Sequence, residues 1–234
     1  MWYIYSSRQG NHYPLELGYR AVDSWEIRHN YELVSRWCQE GCESYGSGGC
    51  PPWAPPFAAW QEHYPYAVLL FARFFCRYQP DRYTHSKMLY LRYRFPDIIL
   101  SRLFSSLGYQ VQGSIKEDIV FLNSGHCTGC GQAECNFLRG YNYCLNPVKR
   151  TYAIGATGIE SAQMLQQIFG IRLQWISESN QEVSSITKLM GLLCKQRKIQ
   201  NRILDEMIGN LNALSCSSWK IPGAEYQDAL SRLL

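Results

Sequence analysis

The chain has 234 residues, 46% of them hydrophobic, and a formal net charge of +4. This composition excludes global disorder and supplies enough apolar side chains for one sizeable core. The mild charge permits an acidic partner without demanding one. The N-terminus turns polar after Trp2-Tyr3-Ile4-Tyr5, and the longest apolar stretch, residues 66–75, is interrupted by Arg73 and far too short to span a bilayer. A cytoplasmic protein with no membrane partner is therefore expected. In that reducing compartment disulfides are a poor explanation for ten cysteines.

In chain order, residues 2–6 suggest a short aromatic strand. Val22, Trp25, Tyr31, Val34 and Trp37 recur at roughly helical spacing, which predicts a helix over 22–38 delivering Cys38 at its end. Gly41 stops it, and a Gly/Pro-rich loop follows to Pro56. The run Ala67 to Phe74 predicts a buried strand. A helix is expected to begin at Pro96 and end at Gly108, with Ile99, Leu100, Leu103, Phe104 and Leu107 inward. A strand at 119–122 leads into the second cysteine-rich segment. A helix over 158–169 and a strand over 171–176 come next. Ser179-x-x-Glu182 can form a capping box, and a helical pattern then runs from Ile186 to Leu214. The expected fold is α+β: a small mixed β-sheet flanked by helices, with cysteine-rich loops at one end and a long C-terminal helix. Residues 1–179 form the cysteine-rich domain in this reading, and 180–234 a helical appendage.

Seven of the ten cysteines lie within residues 38–50 and 127–144, where even spreading would place about one. The second segment reads Cys127-x2-Cys130-x4-Cys135-x8-Cys144. Four thiolates in one short loop can surround a cubane, whose four irons each need one outside ligand. Structural zinc more often takes two separated pairs, so an iron–sulfur cluster is the first reading and zinc the second. The first segment, Cys38-x3-Cys42-x7-Cys50-Pro51-Pro52, resembles the end of a ferredoxin ligand run but holds only three cysteines. A fourth ligand then comes from elsewhere, or one iron is open to substrate. Alternatively all seven serve one centre and a structural loop.

The stretch WCQEGCESYGSGGCPP, Trp37 to Pro52, resembles the first motif of the predicted metal-binding proteins grouped as domain of unknown function 2284. The stretch from Gly125 to Glu160, GHCTGCGQAECNFLRGYNYCLNPVKRTYAIGATGIE, is similar to that family's second motif. The resemblance covers about residues 30–176. It implies a cysteine-ligated metal, usually presumed iron–sulfur, on Cys38, Cys42, Cys50, Cys127, Cys130, Cys135 and Cys144, and no established reaction.

Of the remaining cysteines, Cys76 ends an apolar strand and could reach a cluster, although a buried small hydrophobe is the commoner role. Cys194 and Cys216 are read as structural, and His126 as a hydrogen-bonding loop residue. Between Arg73 and Arg94, basic residues alternate with tyrosines. A solvated face is expected there, and nucleic acid is not an expected partner. The functional expectation is an iron–sulfur redox protein carrying one or two clusters of the [4Fe-4S] type. It would pass electrons to, or mature, a partner enzyme, or self-associate through its C-terminal helix. An enzyme binding substrate at an open iron, and a zinc-stabilised interaction module, are the alternatives.

Overall fold

A computed structural model describes residues 1–6, 10–84, 89–131, 133–175 and 182–218. Its elements, in chain order, are β1 (Trp2–Ser6), β2 (His12–Asp23), α1 (Tyr31–Gly41), the short α2 (Ala58–Gln61), β3 (Tyr66–Phe75), the short α3 (Asp81–Thr84), α4 (Leu89–Ser114), β4 (Ile119–Asn123), β5 (Tyr152–Ala153), α5 (Ser161–Phe169), β6 (Ser185–Cys194) and α6 (Arg197–Ser218). The strands form one six-stranded sheet in the order β1-β2-β3-β6-β4-β5. Every pairing is antiparallel except β4 with β5, so the sheet is mixed and the fold α+β, with a long helix near the C-terminus.

The sheet is covered on both faces, which is why β3 reads as an unbroken apolar run. Val68, Leu70, Ala72 and Phe74 point to one side and meet Leu100, Leu103, Phe104 and Leu107 of α4 and Ile203 and Met207 of α6. Ala67, Leu69 and Phe71 point to the other, where Phe57 and α5, through Met164 and Leu165, cover them. These alternate sets follow from the two-residue period of a strand. Gly108 lies inside α4 because an added Cβ would fall 2.0 Å from the Phe121 ring. Lacking one, the helix seats directly on β4.

Several expected boundaries differ. The spacing that suggested a helix over 22–38 belongs to two elements. β2 runs through Val22 to Asp23, and α1 begins only after Asn30, whose side chain accepts the Leu33 N–H at 3.1 Å. Trp25 and Trp37, counted as one apolar face, are 66% and 58% exposed, so no core selects that helix. Pro96 sits within α4 and does not start it, the apolar stripe beyond it holding the helix on the sheet. Residues 171–175 are irregular, although Ile171 is buried.

The largest difference concerns residues 186–214. The periodicity there suggested one helix, but the segment divides into β6 and α6. β6 lies between β3 and β4, its side chains from Leu189 to Cys194 buried against neighbours on both faces. A short apolar run is ambiguous in period until its surroundings are known. The division expected at residue 180 therefore has a central strand of the sheet on its C-terminal side. Ser179 of the expected capping box, Lys87 of the basic stretch and the side chain of Cys216 lie outside the described residues.

Candidate metal centre

β4 and β5 are parallel neighbours, and a parallel pair needs a crossover connection, normally a helix. Here the connection is residues 124–151, whose only regular element among the described residues is a 3₁₀ turn at Pro147–Lys149. Loops of this length without secondary structure are uncommon and usually functional. This one holds Cys127, Cys130, Cys135 and Cys144. Asn123, buried at the end of β4, starts it: its side-chain carbonyl accepts the Ser124 N–H at 2.8 Å, and its amide donates to Ser105 Oγ at 3.1 Å.

The first segment leaves α1 in a chain of tight turns. Cys38 lies in the last turn of α1, and Cys42 caps the helix by donating its N–H to the Cys38 carbonyl at 3.0 Å. The Cys50 N–H donates to Ser47 O at 2.9 Å, and the Cys50 carbonyl accepts from Trp53 and Ala54, each at 2.9 Å.

Tertiary structure brings the two segments together at Gly48 and Gly49. The Gly48 N–H donates to Cys135 Sγ at 3.3 Å, and the Gly49 carbonyl accepts from Ala153 of β5 at 2.9 Å. A Cβ on Gly49 would lie 2.5 Å from the Thr151 carbonyl and 2.8 Å from Cys127 Cβ, so only glycine fits between the loops. Gly129 is equally confined, 2.2 Å from the Lys149 carbonyl by the same measure. Arg150 fastens the junction from outside. It donates to Gly48 O at 2.8 Å and Trp53 O at 3.1 Å, and its guanidinium lies over the rings of Phe137 and Tyr152.

The sulfurs sit among donors. Cys127 Sγ accepts the N–H groups of Gly129 and Thr151, both at 3.4 Å. Burial pushes the Cys50 thiol up to about 11, the Ser47 hydroxyl opposing the shift and Cys42, Cys38 and Cys127 adding to it. Burial, then Cys42, raises Cys38. Burial, then Cys144, Cys127 and Cys135, raises Cys130. The predicted residues thus fall into two neighbouring sets, with Cys127 and Cys50 where they meet.

The donor set suits a thiolate-bound metal group. Soft sulfur ligands select iron–sulfur clusters, zinc or copper, and N–H donors on ligand sulfurs are the contacts that tune such centres. Two buried side-chain polar atoms beside the cysteines, Ser124 Oγ and Asn136 Nδ2, lack a hydrogen-bond partner among the described residues. Orphaned polar atoms are costly unless a further group satisfies them. Among the described residues no three His, Cys, Asp or Glu side chains already converge as one bound ion would require.

Cys76 and Cys194 lie elsewhere. Cys76 donates its N–H to Ser184 O, whereas Leu122 of β4 pairs with Gly191. Ser184, just ahead of β6, and Gly191 within it are about 23 Å apart at ~3.3 Å per residue. Burial alone pushes the Cys76 thiol up to about 11. Cys194 is buried in the core between sheet and α4. His126 is exposed, and its carbonyl accepts from Asn123 at 3.4 Å. Sequence reasoning did not single out Asn123, Thr151, Phe137 or Arg150. Arg150 lies within the second motif, shortly after Asn146-Pro147.

A family model described as a predicted metal-binding protein matches residues 20–192. No curated protein and no solved structure matches the chain. No helix among the described residues is long and apolar enough to cross a membrane.

Proposed function

The chain belongs to the predicted metal-binding protein family, domain of unknown function 2284, and from that premise we propose that it is an iron–sulfur redox protein. The observation that carries this reading is the convergence of two cysteine segments with backbone N–H groups directed at Cys127 and Cys135. Cys127, Cys130, Cys135 and Cys144 would hold a [4Fe-4S] cluster, and Cys38, Cys42 and Cys50 a second iron centre beside it. The bound group supplies one-electron transfer. The protein supplies sulfur-directed hydrogen bonds, partial burial and an interlocked backbone that keeps the thiols in place.

The surface supports a protein partner. Trp37, Trp53, Leu138, Tyr141, Tyr143, Leu145 and Val148 are exposed, and all lie in or beside the cysteine segments. Exposed apolar patches of this kind mark interaction sites, and a redox partner docking there would sit close to the metal.

Anaerobic isolation with ample iron should give brown protein with iron and acid-labile sulfide. Stoichiometric zinc without sulfide would refute the reading and leave the zinc-stabilised module. A second reading, an enzyme with an open iron, draws on the remoteness of Cys76, which leaves the first segment with three thiols of its own. Cyanide or an added thiol should then perturb part of the visible spectrum. A spectrum wholly indifferent to both would favour the saturated, electron-transferring form.

A further inference from the structure

Beside the second cysteine loop the surface opens into a cleft of about 870 Å³, bounded by Tyr109, Gln112 and Lys116 on one side and Thr128, Cys130 and Lys149 on the other. Its volume is within the range of small-molecule sites. The electrostatics of its walls carry the argument. Two acids, Glu117 and Asp118, lie at its edge, and both are already paired. Glu117 meets Arg202. Asp118 meets Lys195 Nζ at 2.7 Å and accepts the Tyr64 hydroxyl at 2.8 Å. The cleft also carries Lys116 and Lys149, both exposed, and among the described residues neither has an ion-pair partner. With Glu117 and Asp118 paired from outside, Lys116 and Lys149 are the cations of the lining that no described acid pairs.

Hydrogen-bonding groups also line the cleft. The Asn146 amide donates to Gly129 O at 3.1 Å, which fixes the side chain in the wall. The Tyr109 hydroxyl donates to the Lys149 carbonyl at 2.9 Å and ties α4 to the cysteine loop. Lysine ammonium groups and side-chain amides lining a cleft are donors suited to anions. Because Cys130 is part of its wall, anything bound there lies against the four-cysteine set.

We propose that this cleft binds a small organic anion, carrying phosphate or carboxylate groups, next to Cys130. The anion site stands on the cleft and its lysines alone. Its meaning as a substrate position rests on the iron–sulfur reading.

The test is calorimetric titration of the full-length, anaerobically isolated protein with inorganic pyrophosphate and, separately, with citrate. Binding of at least one probe, weakened by added salt, is the expected result. Pyrophosphate alone would assign a phosphate-bearing ligand, and citrate alone a carboxylate. The double variant Lys116→Gln/Lys149→Gln should lose affinity by about tenfold or more. The variant Arg28→Gln, an exposed cation beside Gln163 of α5 and not part of the cleft lining, should bind as the parent does. Both lysines are exposed, so a matching melting temperature would show that the variants fold. Absence of heat with both probes at about 10 mM, or equal affinity in the double variant, would overturn the proposal. Iron and sulfide analysis of the same sample reports separately on the metal reading.

Discussion

At the scale of single residues, the site depends as much on what is missing from glycines as on what cysteines add. Gly49 is wedged against the Thr151 carbonyl and Cys127, and backbone cannot yield as a flexible side chain can. Gly49→Ala should destabilise by about 1–3 kcal/mol and lower metal content. Gly155→Ala should leave both unchanged, since its Cβ would meet nothing within 4 Å. Thermal melts with metal analysis check the pair. Among the cysteines, Cys130→Ser and Cys135→Ser should lose metal, because each removes a soft thiolate ligand. Cys194→Ser should keep its metal, because that side chain is buried in the core between sheet and α4, away from both cysteine segments. Equal metal content in all three variants would remove the ligand assignment.

At the scale of elements, β6 and α6 carry the architecture. β6 bonds to β3 along its whole length and to β4 over four residue pairs, so it joins the two halves of the sheet. Deleting residues 180–234 should therefore abolish soluble, folded protein. A soluble, metal-loaded truncation would show that the rest of the chain folds alone. The contribution of α6 is separable: Met207 is fully buried against the sheet, and Met207→Ala should cost about 2–5 kcal/mol in urea unfolding. Arg202→Gln removes only an exposed ion pair and should cost less than about 1 kcal/mol. α1 is the opposite case. It has no fully buried residue, and the turns after Cys42 hold its end beside the second loop.

For the molecule as a whole, the sheet and its two cores do not pass through the cysteine loops, whereas the loops depend on one another. Chelation under reducing conditions should therefore leave the far-ultraviolet circular dichroism close to that of loaded protein. Limited proteolysis of the stripped protein should begin within residues 42–54 and 124–151. Collapse of the whole dichroism spectrum on chelation would instead make the centre a condition of the fold.

The composition of the two cysteine segments, the buried strand at β3, the helix at α5 and the α+β class were all legible in the sequence. Each rests on local chemistry: thiols at close spacing, an unbroken apolar run, a 3.6-residue period closed by Gly170. The fate of residues 186–194 was not legible, because a short apolar run satisfies either period until β3 and β4 offer it edges on both sides. Nor was the meeting of Gly48 with Cys135, or the grip of Arg150 on both loops. Those contacts join residues about a hundred positions apart, and only the packing of the sheet sets that distance to a hydrogen bond.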